Sequence, residues 1–151
     1  MKIEDVLKTS RFKDQVHKAS LNLLYTSYWL KNHLSAAIKE NGFTAEQFNV
    51  MRIVKGRHPE AICVKDIAER MIEKSSNVPR ILDRLILKKY VERSVSKEDK
   101  RETLISITEL GMKKLLEVNK IVNKVNETVI GLNEMEAALL NELLEKLRKT
   151  D

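Results

Sequence analysis

The sequence predicts a mainly α-helical (α+β) protein with a single β-hairpin, and three observations support this prediction. Only 4 Gly and 2 Pro occur among 151 residues, which is too few for a loop-rich all-β fold. Apolar residues recur at helical spacing through most of the chain. Two short segments, 90–95 and 103–108, are instead rich in residues that favour β-strands. The length suits one domain with helical extensions.

The first half of the chain predicts three helices. The first covers residues 12–40, and Asn41-Gly42 ends it with a left-handed turn. The second covers residues 44–56 and opens with a T-x-x-Q capping box, flanked by two phenylalanines at hydrophobic-staple positions. The third is short and covers residues 64–71. Helix should therefore dominate this half.

A fourth helix is predicted after a turn at residues 73–75. It carries an apolar stripe at positions i, i+3, i+4 and i+7, formed by Val78, Ile81, Leu82 and Leu85. Pro79 lacks a backbone N–H and is tolerated only in the first turn of a helix, which places the N-cap at Ser76 or Ser75. The opposite face then presents three polar side chains, Asn77, Arg80 and Arg84.

The second half of the chain predicts a hairpin followed by two helices. The two strand-like segments enclose the charged run 96–102, which forms a long polar tip. Thr108 is placed to cap the next helix, which should end near Gly131. Asn133 and Glu136 resemble a second capping box, and the final helix carries a broad band of leucines.

The net charge of +6 is concentrated in the middle of the chain. Residues 55–101 hold 13 Lys or Arg and 8 Asp or Glu, whereas residues 102–151 hold 7 and 9. A concentrated basic segment is typical of a nucleic-acid footprint, because neutralising phosphates supplies much of the affinity. A solvated basic surface without a partner explains the charge alone equally well.

Several classes of protein are disfavoured by composition. A single cysteine, Cys63, excludes an internal disulfide, and together with an acidic start unlike a signal peptide it favours the cytoplasm. No run of about 18 apolar residues is present, so no membrane association is expected. No metal-ligand spacing, Gly-rich phosphate loop or Ser-His-Asp set is present, so we expect no metal, no cofactor and no enzyme activity.

Two short helices joined by a turn and followed by a hairpin with a basic tip form a winged helix-turn-helix. In such a unit the second helix enters the DNA major groove, where Arg pairs with guanine and Asn with adenine. Asn77, Arg80 and Arg84 suit this role, while Ser75 and Ser76 suit phosphate binding at the helix N-terminus. The wing tip supplies further candidates for DNA contact, namely Lys97, Asp99, Lys100 and Arg101, with Arg101 entering the minor groove.

The chain resembles the MarR (multiple antibiotic resistance regulator) family of transcription factors. Residues 43–51 resemble the family phrase L-T-x-x-Q-x-x-V-L, and residues 66–71 resemble x-L-A-x-x-L. Residues 75–85 resemble the recognition helix. Most specific is the stretch 99–111, which resembles the wing signature D-x-R followed by x-L-T-x-x-G. These phrases occur in the family's order and at its spacing, and the match runs through most of the chain.

The resemblance implies a dimeric DNA-binding regulator. Asp99 would hold Arg101 in place for the minor groove. The chain would form a single domain, 1–151, with its DNA-binding part at 44–108. Helices within 10–40 and 109–150 would form the dimer interface. The family usually has Gly in a left-handed conformation where Lys89 stands, so the lysine is expected either to cost about 1 kcal/mol there or to shift the turn. The implied partners are double-stranded DNA with a pseudo-palindromic operator and a second copy of the chain. The implied function is repression of its own or neighbouring genes, relieved by a small-molecule effector.

Some assignments keep alternatives at this stage. The main rival function is a winged-helix protein-interaction module without specific DNA binding. Cys63 is interpreted as a small buried hydrophobe, with a redox sensor as the alternative. An aromatic group around Trp29 (Tyr25, Tyr28, Trp29 and Phe48) fits either core packing or an effector pocket.

Overall fold

The structure is a computed structural model that describes residues 1–148. Within these residues it contains seven α-helices and three β-strands. In chain order they are α1 (Ile3–Leu7), α2 (Gln15–Glu40), α3 (Ala45–Lys55), β1 (Ile62–Cys63), α4 (Val64–Arg70), α5 (Val78–Leu87), β2 (Val91–Val95), β3 (Thr103–Ile107), α6 (Glu109–Val129) and α7 (Glu134–Leu147). The mainly α-helical fold class with one hairpin is confirmed.

The three strands form one antiparallel sheet in the order β1-β3-β2. The predicted hairpin is present, with Val91 opposite Ile107 and Val95 opposite Thr103. The two-residue strand β1 was not predicted, because its register is set by its pairing with β3 rather than by any local pattern. This third strand anchors the N-terminus of α4 beside the hairpin.

The hydrophobic core lies where α3, α4 and α5 pack against β3 and the first half of α6. Its fully buried side chains come from all of these elements and include Val50, Met51, Ile67, Leu82, Leu85, Ile105 and Leu115. Two of them, Leu82 and Leu85, belong to the stripe predicted for the recognition helix. Burying this stripe turns the opposite face of α5 toward solvent.

The helix starts that the sequence predicts most sharply are confirmed by hydrogen bonds. In the capping box of α3, the Thr44 hydroxyl accepts from the Gln47 N–H at 3.2 Å, and the side-chain Oε1 of Gln47 accepts from the Thr44 N–H at 3.2 Å. Asn133 and Glu136 form the second box at the start of α7. The Thr108 hydroxyl caps α6 by accepting from the Gly111 N–H at 3.0 Å.

Two of the three left-handed residues within 1–148 lie at turns that the sequence singled out, and the third, Lys8, had no sequence signal. Gly42 has φ of 85° in the turn that follows α2, and Lys89 has φ of 58° at the end of α5. For a residue with a Cβ this conformation costs about 1 kcal/mol relative to glycine. Lys89 tolerates it because its carbonyl accepts a hydrogen bond from the Thr108 hydroxyl at 2.7 Å.

Two predicted helix starts are wrong. The first long helix begins at Gln15 rather than near residue 12, because Asp14 accepts from the His17 N–H and caps it. The N-cap of α5 is Asn77 rather than Ser76 or Ser75, because the Asn77 Oδ1 accepts from the Arg80 N–H at 3.1 Å. Pro79 does lie in the first turn, as predicted.

The last helix is held only loosely by its own chain. No residue of α7 is buried within residues 1–148, and its apolar side chains are largely exposed, including Met135, Leu139, Leu143 and Leu147. Leu24 and Tyr28 on α2 are exposed as well. None of the described helices combines the length and apolar character needed to cross a bilayer.

Replacing Gly111 with alanine is expected to destabilise the protein. A Cβ at this position would overlap the Tyr90 carbonyl oxygen and lie 2.8 Å from the carbonyl carbon, and both atoms belong to backbone that cannot rotate away. We expect Gly111→Ala to lower the free energy of unfolding by about 1–3 kcal/mol or more, measured by urea denaturation. Gly131→Ala is the matched control, because a Cβ there meets nothing within 4 Å. Equal stability of the two variants would contradict the close approach of α6 to Tyr90.

Candidate nucleic-acid interface

Helices α4 and α5 and the turn between them form the helix-turn-helix. The turn is fixed from two sides. The Asn49 side chain on α3 accepts from the Ile72 N–H at 3.0 Å, and Lys31 on α2 forms an ion pair with Glu73 at 3.2 Å. The start of α5 is therefore held in place by contacts from both neighbouring helices.

The predicted site residues on α5 lie around one groove. This N-terminal groove has a volume of about 350 Å³ and lies between the first turns of α3 and α5. Its lining includes Ser75, Ser76, Asn77, Arg80 and Arg84. All of these except Ser76 are exposed, so the polar face of the helix is accessible as the sequence predicted.

Capping limits what Asn77 offers to a ligand. Its Oδ1 is engaged by the Arg80 N–H, which leaves the two Nδ2 hydrogens free to donate. Bidentate pairing with adenine requires an acceptor as well as a donor from the same amide. In this conformation Asn77 donates freely through Nδ2, whereas bidentate pairing would use the second lone pair of an Oδ1 that already accepts from the Arg80 N–H.

Ser75 and Ser76 differ in accessibility. Ser75 is exposed at the surface. The Oγ of Ser76 is buried and has no hydrogen-bond partner among the described residues. A direct phosphate contact is therefore open to Ser75, whereas Ser76 would have to change rotamer first.

The wing tip is built around Asp99 and Arg101. The Asp99 carboxylate accepts from the Arg101 backbone N–H at 2.9 Å, from Nε at 3.1 Å and from the guanidinium NH2 group at 3.0 Å. The hydroxyl of Ser96 accepts from the backbone N–H groups of Glu98 and Asp99 at 3.2 Å, which orders the turn. The guanidinium is thus held by its neighbour while 90 % of the Arg101 side chain stays exposed.

The electrostatics of the tip follow from this pair. Hydrogen bonds from the side chain and backbone of Arg101 lower the pKa of Asp99, and Asp99 raises the pKa of Arg101 in return. Both groups are therefore charged at neutral pH. Lys97 and Lys100 are exposed on the same tip, as are Glu98 and Glu102, so the run 96–102 carries three positive and three negative charges and has no net charge.

One ion pair in this region had no sequence signal. Arg93 on β2 donates to Asp83 on α5 at 2.9 Å. The two residues are ten positions apart and lie on different elements, so no helical or strand spacing links them. The pair connects α5 to the first strand of the wing at the protein surface.

Cys63 and the aromatic group around Trp29, the other candidate sites, lie in different environments. Cys63 is partly buried, and its Sγ accepts from the Asp66 N–H at 3.4 Å at the start of α4. Phe48 is buried in the core, whereas Tyr28 is exposed, and Trp29 packs against His33 with the rings tilted by 52° and their centroids 4.6 Å apart. Among residues 1–148, no group of three His, Cys, Asp or Glu could hold a metal ion.

Comparisons with known proteins agree with this geometry. Residues 43–111 match the family model described as a winged helix DNA-binding domain. The Bacillus subtilis regulator YdcH, an uncharacterised HTH-type transcriptional regulator, is 28 % identical over 125 residues, which cover 82 % of this chain and 84 % of YdcH.

Two solved structures share the fold. A MarR-like transcription regulator from Bacillus cereus superposes with a TM-score of 0.77 at 22 % identity, covering 90 % of this chain and 97 % of that one. A mutant of Escherichia coli MarR in complex with operator DNA gives a TM-score of 0.76 at 23 % identity, covering 92 % of this chain and 99 % of that one. The similarity thus includes the terminal helices as well as the wing.

The fold and the matched segment define the class of protein as a winged helix-turn-helix protein with long terminal helices. Within this class, the chain is similar in fold to MarR-family regulators. The resemblance inferred from the wing signature and the recognition helix is confirmed.

The Asp99–Arg101 pair can be tested in the free protein, without DNA. Because the folded-state pKa of Asp99 is lowered, the pair is intact above the ordinary Asp pKa and is lost only as pH falls through the lowered value. We expect Arg101→Gln to raise the Asp99 midpoint in a carboxyl NMR titration toward the ordinary Asp value. Lys97→Gln is the control, and a midpoint that moves equally in both variants would contradict the pairing.

Proposed function

We propose that this protein is a dimeric DNA-binding transcriptional regulator that represses its own or neighbouring genes. The observation that carries the proposal is the wing tip, where Asp99 orients an exposed Arg101 guanidinium. A positive side chain held in one orientation loses little conformational entropy when it enters the narrow, negative minor groove. MarR, whose fold the chain shares, is described in complex with operator DNA. A regulator that binds bacterial-type promoters works where the DNA is, so we propose a cytoplasmic location.

The recognition helix α5 would lie in the major groove. Its N-terminal residues then approach the base edges, with Arg80 the best placed for guanine and Asn77 donating through Nδ2. Ser75 is proposed to contact a phosphate near the helix N-terminus, where backbone N–H groups favour anions, and Ser76 joins it after a change of rotamer. Lys97 and Lys100 add positive charge beside Arg101 at the wing.

A second copy of the chain would cover the exposed apolar residues of α7 and α2. Met135, Leu139, Leu143 and Leu147 are each more than half exposed, at a spacing that places them on one side of α7. A two-fold dimer would bury this side and present two recognition helices about one DNA turn apart. A pseudo-palindromic operator matches that symmetry.

Repression that a small ligand relieves is typical of the MarR family. We include such an effector in the proposal. It would change the distance between the DNA-binding parts of the two chains, or how well ordered these parts are. Steric occupation of a promoter is sufficient for the repression itself.

The test of the proposed function is a fluorescence-anisotropy titration against the duplex upstream of the protein's own gene and against a shuffled duplex. We expect two chains per native duplex and a preference of about 10³-fold or more over the shuffled duplex. Binding should weaken steeply with salt, because phosphate contacts release counterions. Equal binding to both duplexes would indicate a non-specific DNA-binding protein, and no binding to either at low salt would favour a protein-interaction module.

Two arginine variants separate backbone contacts from base contacts. Arg101→Ala should weaken binding to the native and shuffled duplexes alike and reduce the salt slope by about 1. Arg80→Ala should cost about 1–3 kcal/mol on the native duplex and relax its preference over the shuffled one. Arg57→Ala, in the turn after α3, is the control. If Arg101→Ala left affinity and salt slope unchanged, the role assigned to the wing would be wrong.

A further inference from the structure

A second groove continues the N-terminal groove toward the far end of α5. This C-terminal groove has a volume of about 490 Å³ and lies between α5 and the turn that joins α2 to α3. Its lining residues are Lys39, Gly42, Phe43, Thr44, Gln47, Arg84, Leu87 and Lys88. Thr44, Gln47 and Arg84 also line the N-terminal groove, so the two form one path along the recognition helix.

The two grooves differ in charge. The N-terminal groove contains two carboxylates, Glu46 and Glu73, beside its arginines. The pKa of Glu46 is lowered by hydrogen bonds from its own backbone N–H and from Thr44, so this carboxylate is ionised at neutral pH. The C-terminal groove is lined by three cations, and none of its lining residues in the described chain is Asp or Glu. An anion is therefore favoured in the C-terminal groove.

Two of the three cations, Arg84 and Lys88, belong to α5 and its C-cap, whereas Lys39 belongs to α2, and all three are exposed. Lys39 lies near the end of α2, and Arg84 lies on α5; within residues 1–148 neither forms an ion pair. Lys88 donates to the Gly42 carbonyl at 2.6 Å, and its Nζ lies 5.8 Å from the centre of the Phe43 ring. An ammonium group has three donors, so Lys88 is held in place with hydrogens still available.

The length of α5 places this groove at the edge of the DNA major groove. The helix has 10 residues and is about 15 Å long, whereas the major groove is about 12 Å wide. Arg84 follows Asn77 by seven residues, or about 10 Å along the helix axis. When the N-terminal turn is at the base edges, the C-terminal half reaches one of the two phosphate strands that border the groove.

We propose that the C-terminal groove binds a phosphate of the DNA backbone through Lys39, Arg84 and Lys88. This inference rests on the proposed function and changes the role assigned to Arg84, which contacts the backbone rather than a base. Base reading by α5 is then confined to its first turn. The cation at the end of α2 also connects the long helix of the dimer region directly to the DNA.

The inference is tested by the salt dependence of Lys39→Gln with the native duplex. Each lost phosphate contact reduces the slope of log affinity against log salt by about 0.9, so the advantage of the unmodified protein should shrink about 3-fold between 50 and 200 mM salt. Lys55→Gln is the matched control, because this lysine is exposed at the opposite end of α3. Thermal melting of both variants confirms that they are folded.

A second variant, Arg84→Gln, distinguishes backbone contact from base reading. We expect it to weaken binding to the native and shuffled duplexes by the same factor. A selective loss on the native duplex would show that Arg84 reads a base and would overturn the inference, as would an unchanged slope in Lys39→Gln. If the unmodified protein binds neither duplex, the proposed function itself fails.

Discussion

The backbone carbonyl of Tyr90 is the point on which the relative placement of the recognition helix, the wing and α6 depends. It accepts from the Thr108 N–H at 3.1 Å and from the Thr108 hydroxyl at 3.2 Å. The same carbonyl lies so close to α6 that only glycine fits at position 111. One peptide group thus joins the start of β2 to the cap of α6, and the whole hairpin is positioned between them.

This junction explains the unusual lysine that precedes it. The chain must reverse between α5 and β2 within three residues, 88–90, and a left-handed residue at Lys89 accomplishes this. The conformational cost is about 1 kcal/mol, which is a noticeable part of the stability of a small domain. The hydrogen bonds to Lys89 and Tyr90 offset it, and the aromatic contact between Phe43 and Tyr90, at 5.4 Å, packs the junction against the core. Position 89 thus adopts a left-handed backbone without glycine, the residue that most favours this conformation.

The sequence predicted those features whose cause is local. Caps, staples and helical stripes join residues three or four positions apart, and the capping boxes at Thr44 and Asn133 are present as expected. Strand β1 and the Asp83–Arg93 pair depend on which elements meet in three dimensions, so no spacing indicated them. The N-cap of α5 was misplaced because serine and asparagine at neighbouring positions are almost equally good caps.

The candidate site shows the same division between local and tertiary causes. Asp99 and Arg101 are two residues apart, so their pairing could be anticipated, whereas the groove shared by Lys39, Arg84 and Lys88 could not. The two parts also differ physically. Arg101 is oriented before any ligand arrives, while Lys39 and Arg84 are free of ion pairs within the described residues and must be ordered on binding. An oriented side chain loses less entropy on binding, so orientation favours a defined position of the wing. Lys39 and Arg84 instead supply attraction that tolerates variation in the DNA backbone.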